Sequence, residues 1–246
     1  KWAAKRKQWG AAIGDHESIA SKLGYIASHT FAMDATSYLT AMLADDAKRD
    51  IRLEAAMAKY FCTMHSWTII DETLQIRGGQ GYERASSLKA RGMEPWPVER
   101  LMRDVRINLI IEGTSEIMHL FIAREALDPH LARLTPLLSG SVPVAGKLKA
   151  LWSLIRYYAV WYPSLWVPRL RSNGDQNLNP VLKPHVAYVQ KTSQRLARHV
   201  FHQMLRYQQR LESKQVILNR IVDIGTDLFV MVASCSYADA LSTENQ

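Results

Sequence analysis

Long stretches of this chain repeat their apolar residues at alternating steps of four and three. The last of them sets Ile217, Ile221, Ile224, Leu228, Met231, Cys235 and Ala238 in that rhythm, which a helical turn of 3.6 residues gathers onto one face. Ile51, Ala55, Ala58, Cys62, His65 and Ile69 do the same, and Val189, Ser193, Leu196, Val200, Met204, Tyr207 and Leu211, at steps of three or four, also share a face. Residues 16–44 are rich in Ala, Ile, Leu and Met, lack proline, and place Ile19, Leu23 and Ile26 at helical spacing. Nothing reads as a sheet, and no unit recurs at a fixed period. The expectation is an all-α protein built on four-helix-bundle-like packing.

Glycine and proline punctuate this pattern. Residues 77–96 hold four Gly, one Pro and two adjacent Ser, and read as a loop. Pro97 suits the first turn of a helix running to about Asn108. The chain then turns at Gly113, and Thr114 or Ser115 can cap a helix through about Leu127, with Pro129 as its stop. Residues 128–146, with three Pro and two Gly, read as a linker. The expected domains are 1–135 and a second helical region, 147–246, with the boundary near 135–146.

Charge divides at the same place. Residues 1–130 carry 17 Lys+Arg and 17 Asp+Glu, whereas residues 131–246 carry 14 and 6, so the whole net charge of +8 lies in the second half. Residues 147–171 concentrate six aromatics and five basic residues with no acid. Such a segment suits either an anionic partner or a solvated basic face. As an amphipathic helix over about Lys147–Tyr162, bounded by Pro163 and Pro168, it could lie on a membrane. Trp152, Tyr157, Tyr158, Trp161, Tyr162 and Trp166 would then sit at the headgroups, and Lys147, Lys149, Arg156, Arg169 and Arg171 on anionic lipid. Packed inward, the same rings would form the core of the extension. The polar stretch 172–180 follows as a turn-rich segment.

Two cysteines, Cys62 and Cys235, with no ligand spacing around them exclude a disulfide framework and argue against structural zinc. They suit a reducing compartment. No secretory leader and no membrane-spanning run is expected, and an opening of KWAAKRKQWG without Met suggests a piece of a longer chain. His65 reads as a hydrogen-bonded core residue, and His199 and His202 lack a third ligand.

Three segments carry chemistry. QIRGGQG, residues 75–81, follows a helix, and its paired glycines permit close backbone approach to a phosphate. It is neither a Walker loop nor a dinucleotide fingerprint. IIEGTSEI, residues 110–117, places Glu112 behind Ile107, Leu109, Ile110 and Ile111. Desolvation by such neighbours would raise its basicity and suit it to proton abstraction near neutral pH. RKQWG, residues 6–10, offers Arg6 to clamp a phosphate and Trp9 to stack on a flat ring.

In this order, RKQWG, ETLQIRGGQGY and PVERLMRDVRINLIIEGTSEI resemble the C-terminal helical domain of the acyl-CoA dehydrogenase family, from about Lys5 to His130. The aromatic, basic tail resembles the C-terminal extension of very-long-chain-type members, and the long 83–96 loop agrees with that. The resemblance implies FAD-dependent α,β-dehydrogenation of a fatty acyl-CoA to the trans-2-enoyl-CoA. Glu112 is then the catalytic base. The backbone N–H of Glu112 and a ribityl hydroxyl of FAD are the implied donors to the thioester carbonyl. Arg6, Trp9, Gln75, Gly78, Gly79, Thr114 and Glu116 fall at cofactor-binding positions. Of these, Arg6, Gln75, Gly78 and Gly79 would act on the FAD of a neighbouring subunit. Trp9 stands where Phe is usual, and Glu116 departs from a frequent amide or Asp. Ile111 and Gly113 flank the base at the acyl pocket, Ile111 in place of an aromatic.

The resemblance further implies electron-transfer flavoprotein as acceptor, a homodimer or tetramer, and a bacterial cytoplasmic or mitochondrial matrix location, peripheral at the inner membrane in the latter case. It places an N-terminal helical and a middle β-domain ahead of this one, so these residues alone are expected to hold FAD poorly and turn over nothing. Oxygen-using acyl-CoA oxidases share the fold and the base. A DNA-binding flavoprotein branch with a basic tail is the other alternative, disfavoured by the dispersed arginines.

Overall fold

A computed structural model describes residues 1–167 and 178–244. Among them the chain is helical apart from one tiny hairpin. A short helix α1 (Trp2–Lys5) precedes β1 (Lys7–Gln8) and β2 (Ala11–Ala12), paired antiparallel with Lys7 opposite Ala12. The two residues between the strands, Trp9 and Gly10, have φ of +49° and +82°. Positive φ at both positions is what a two-residue turn of the I′ type requires. Helices α2 (Glu17–Ala44), α3 (Arg52–Arg77), α4 (Gly79–Tyr82), α5 (Ala85–Ala90) and α6 (Val98–Arg106) follow. Beyond a 3-10 turn at Ile107–Leu109 come α7 (Ser115–Leu138), α8 (Val144–Ser164), α9 (Lys183–Tyr207) and α10 (Gln215–Glu244).

The all-α expectation holds, with four local corrections. The hairpin at residues 7–12 is a strand pair too short to leave an alternating signal. The 77–96 loop folds two short helices, α4 and α5, into itself. Pro129 does not end α7, which runs on through Pro129 and Pro136 to Leu138. Proline removes one N–H from the ladder, but here the turn beyond it is held laterally. The His130 ring bonds the Tyr158 hydroxyl at 2.8 Å, and the Arg133 guanidinium lies 4.0 Å from the centre of the Tyr157 ring. Pro163 likewise lies inside α8 rather than bounding it. Pro168, Arg169, Arg171 and residues 172–177 of the turn-rich segment lie outside the described residues.

The described chain divides into two compact units, residues 1–38 with 58–118, and residues 39–57 with 119–246. In the first, Ala3, Ile13 and Ile76 form a buried cluster with Trp2, Ile19 and Ile26 packed around it. The Trp2 indole donates to the Ile76 carbonyl at 3.2 Å, which ties the N-terminus to the end of α3. Midway along α3, His65 Nδ1 meets the Tyr25 hydroxyl at 2.7 Å, and His29 stacks on Tyr25 with ring centres 3.8 Å apart. His65 is thus hydrogen-bonded, as its place on an apolar face suggests, but half-buried and not part of the closed core. Burial, with His29 as second cause, lowers its pKa to about 4. The six residues 51 to 69 on the expected face are all half-buried, and the fully buried positions of α3, Ala56, Met57, Phe61 and Ile76, lie beside them.

In the second unit α9 packs along α10. The α10 core is Leu218, Val222, Thr226, Leu228, Val230, Ala233 and Cys235, whereas Ile224 of the expected face is 44% exposed. Tyr158, Trp161 and Tyr162 of α8 gather around Phe201 of α9, with ring centres 5.0–5.8 Å away. His130 joins Tyr157, Tyr158 and Trp161. Four of the six tail aromatics therefore pack inward, while Trp152 and Trp166 stay more than 60% exposed. Among the described residues no helix is long and apolar enough to cross a membrane.

Candidate active site

Glu112 sits on a left-handed break between two helical segments. The 3-10 turn ends at Leu109, and the amides of Ile110 and Ile111 both donate back to the Ile107 carbonyl. Glu112 then adopts φ +55° and Gly113 φ +100°. Only three non-glycine residues among those described have positive φ: Trp9, Glu112 and Gln208. A side chain in that region costs about 1–2 kcal/mol, and strain of this kind gathers where a site fixes its backbone. Two of the three are positions the sequence marks as functional.

Gly113 is obligatory on two counts. Its φ disfavours a side chain, and a Cβ there would lie 2.9 Å from the Met118 sulfur. Thr114 then opens α7, its Oγ1 accepting the Ile117 N–H at 3.4 Å. Lys59 and Met64 of α3 both meet this turn. The Lys59 ammonium donates to the Gly113 carbonyl at 2.6 Å, and the Ser115 hydroxyl approaches the Met64 sulfur at 3.4 Å. Among the described residues the amide N–H of Glu112 reaches no acceptor.

The environment of Glu112 corrects one expectation. Its carboxylate is exposed, and Ile107, Ile110, Ile111 and Ile117 around it are 46–55% exposed. These side chains stay open to solvent and do not bury the carboxylate. Proximity in sequence to apolar residues did not translate into burial within this chain.

The second group lies at the other end of α3. Gly78 ends the helix with φ +60°, its N–H donating to the Gln75 carbonyl at 3.1 Å, the usual reason for glycine past a helix C-terminus. Gly81 is fixed by packing, since a Cβ would meet the Leu74 carbonyl at 2.6 Å. Gly79 differs from both: its φ is ordinary and a Cβ would meet nothing within 4 Å. Nothing inside the described chain demands glycine there. Gln75 is exposed beside it, and Arg77 lies over the Trp2 ring at 4.8 Å with its buried Nε unpartnered. Arg6 and Trp9 project from the hairpin that follows α1. Arg6 is exposed and makes no ion pair among the described residues, and Trp9 is 92% exposed.

The structure therefore ties Trp2, which precedes Arg6 and Trp9 in the chain, to the end of α3 that carries Gln75, Gly78 and Gly79. It does not bring these to Glu112. Lys59 and Ile76, the anchors of the two groups, are 17 residues apart on one helix, roughly 25 Å along its axis. Thr114 and Ile111 belong to the Glu112 group, as does Glu116, which is exposed on the first turn of α7. Sequence reasoning missed Lys59, Arg77 and Met118. A lysine or methionine inside an amphipathic helix leaves no mark of what it meets in space, although Arg77 stood within the RGG segment. Burial pushes both cysteine thiols up, which suits neither to act as a nucleophile. Among the described residues no group of three or more His, Cys, Asp or Glu could hold a metal ion.

Comparison with known proteins adds to this geometry. Residues 1–127 match the family described as acyl-CoA dehydrogenase, C-terminal domain. The chain is 43% identical over 243 residues to the probable acyl-CoA dehydrogenase FadE10 of Mycobacterium tuberculosis, covering 99% of this chain and 37% of that protein. It is 26% identical over 247 residues to the mitochondrial very long-chain specific acyl-CoA dehydrogenase of Rattus norvegicus, covering 98% of this chain and 35% of that one. It thus spans just over a third of the length of these relatives. An acyl-CoA dehydrogenase from Bacillus anthracis, solved with FAD, shares the fold with a TM-score of 0.66 at 23% identity, over 98% of this chain and 39% of that one.

Proposed function

Because the chain belongs to the acyl-CoA dehydrogenase family through its C-terminal helical domain, we propose that it forms part of a flavoenzyme that converts a fatty acyl-CoA to the trans-2-enoyl-CoA, with Glu112 as the base. The observation that carries this reading is the left-handed Glu112–Gly113 pair, clamped by Lys59 and leaving the Glu112 N–H unused. A thioester α-proton is too weakly acidic for a solvated carboxylate to remove readily. The Glu112 carboxylate takes that proton, and the free Glu112 N–H donates to the thioester carbonyl as charge develops on it. An acyl chain lying on the exposed rim of Ile107, Ile110, Ile111 and Ile117 would cover the carboxylate and exclude water, which raises its basicity. Bound FAD supplies the acceptor for the hydride that leaves the β-carbon.

The residues present fit that cofactor. Arg6 offers an unpaired guanidinium, Trp9 an exposed ring, and Gly79 an open backbone with no internal reason for glycine. Arg6, Trp9, Gln75, Gly78 and Gly79 would hold its diphosphate and adenosine part from a neighbouring copy of the protein, as a dimer or tetramer. Their distance from the Glu112 turn along α3 supports contact with a different flavin from the one Glu112 faces. Thr114 and Glu116 would contact FAD beside the base.

Electron-transfer flavoprotein is the acceptor on this reading. The test is the full-length protein with saturated acyl-CoA. Enoyl-CoA formation with reduction of that acceptor supports it, whereas oxygen consumption with peroxide release identifies an oxidase instead. Peripheral contact with anionic membrane is a further part of the reading. It is supported by the exposed stripe of Val144, Leu148, Leu151, Trp152 and Ile155 along α8. Flotation with anionic liposomes at low salt tests it, and absence of binding removes it.

A further inference from the structure

Resting on the reading of Glu112 as the base, we propose that Lys59 is its positioning residue, fixing the turn that aims the carboxylate and its N–H. Glu112 and Gly113 are consecutive left-handed residues, a conformation that an L side chain at position 112 disfavours. Something outside the turn must hold it. The Lys59 ammonium reaches the carbonyl of Gly113, the residue immediately after the base, at 2.6 Å. That is the short, charge-assisted kind of hydrogen bond. Lys59 is half-buried on a central helix, makes no ion pair among the described residues, and so directs its charge to this one acceptor.

The contact of the Ser115 hydroxyl with the Met64 sulfur at 3.4 Å is weak and lies two residues further from Glu112. Gly113 itself offers no side chain to resist rotation. The carbonyl held by Lys59 belongs to the Gly113–Thr114 peptide, so the bond fixes the Gly113 half of the two-residue left-handed break and, through it, Glu112. Releasing it would let residue 112 relax toward ordinary φ, which swings both its carboxylate and its N–H.

The test uses the full-length flavoenzyme and reads kcat, KM for acyl-CoA, flavin content per chain and anaerobic binding of enoyl-CoA. Lys59→Met keeps the apolar stem and removes the donor. It is expected to lower kcat per bound flavin about tenfold to a hundredfold, the scale of a small misplacement of a catalytic group, with KM and flavin content within about twofold. Lys59→Arg keeps a charged donor and is expected to recover most of the loss. Glu112→Gln runs alongside. Should it retain turnover, the reading of the base fails. Should it abolish turnover while Lys59→Met keeps parental kcat per flavin, the base stands and the positioning role is refuted. A loss in Lys59→Met that follows flavin content, or that Lys59→Arg does not recover, also refutes it. Where Lys59→Met yields no soluble protein, Lys59→Gln is read against the same thresholds.

Discussion

Replacing Gly113 by alanine tests how tightly the Glu112 turn is determined. Two separate costs are visible. An alanine at φ +100° is held where L residues are strained, worth about 1–2 kcal/mol. Its Cβ would also lie 2.9 Å from the sulfur of Met118, a residue only 9% exposed. Overpacking at a closed site costs about 1–3 kcal/mol, with a flexible methionine toward the lower end. Together they amount to about 2–5 kcal/mol. At roughly 2–4 °C per kcal/mol for a chain of this size, the melting midpoint should fall by at least about 4 °C. Thermal unfolding followed by circular dichroism measures this. A double-mutant cycle separates the terms. In a Met118→Ala background the clash is gone and only backbone strain remains, so Gly113→Ala should cost about 1–2 kcal/mol there, with a coupling of about 1 kcal/mol or more between the sites. A Gly113→Ala chain melting within about 1 °C of the parent would refute the reasoning, as would an equal cost in both backgrounds.

Gly81→Ala should be worse, because its Cβ would stand 2.6 Å from the backbone carbonyl of Leu74, which cannot swing aside. We expect a loss above about 3 kcal/mol, measured as poor soluble yield or a midpoint depressed well below that of Gly113→Ala. Trp9→Ala, at a 92% exposed position, should leave the melting midpoint within about 2 °C yet reduce flavin retention in the full-length protein. Unchanged flavin content would remove Trp9 from the cofactor site. His65 should titrate near its lowered value of about 4, against an ordinary 6.5. The unfolded chain then binds more protons than the folded one between those values, so stability is highest above about pH 6.5 and declines as pH falls toward 4. Nuclear magnetic resonance of the ring gives the value, and a titration near 6.5 would contradict it.

Much of this was legible because helices announce themselves by period and glycines by chemistry. Gly78 and Gly113 each occupy a backbone conformation that few other residues accept, and each was marked as a turn by its residue type alone. Gly79 was marked equally and has no such conformation, so residue type alone did not separate it from its neighbours. Pro129 misled because the contacts that carry α7 past it, His130 to Tyr158 and Arg133 to Tyr157, come from residues remote in sequence. The same holds for Lys59, whose partner is a carbonyl 54 positions away. His119, buried on α7 and bonded to Asp223 of α10 at 2.8 Å, likewise left no trace in the linear pattern. The exposure of Glu112 was illegible for a different reason. Apolar neighbours state that a surface is to be covered, and only the fold shows whether this chain covers it.

The most direct measurement of the central claim is single-turnover reduction of the flavin in full-length Glu112→Gln, mixed anaerobically with saturated acyl-CoA. The account predicts that FAD and ligand both bind while the visible flavin absorbance fails to bleach, the rate falling by several orders of magnitude. Bleaching at the rate of the parent enzyme would show that the α-proton leaves to some other group, and that the turn at position 112 serves a different purpose.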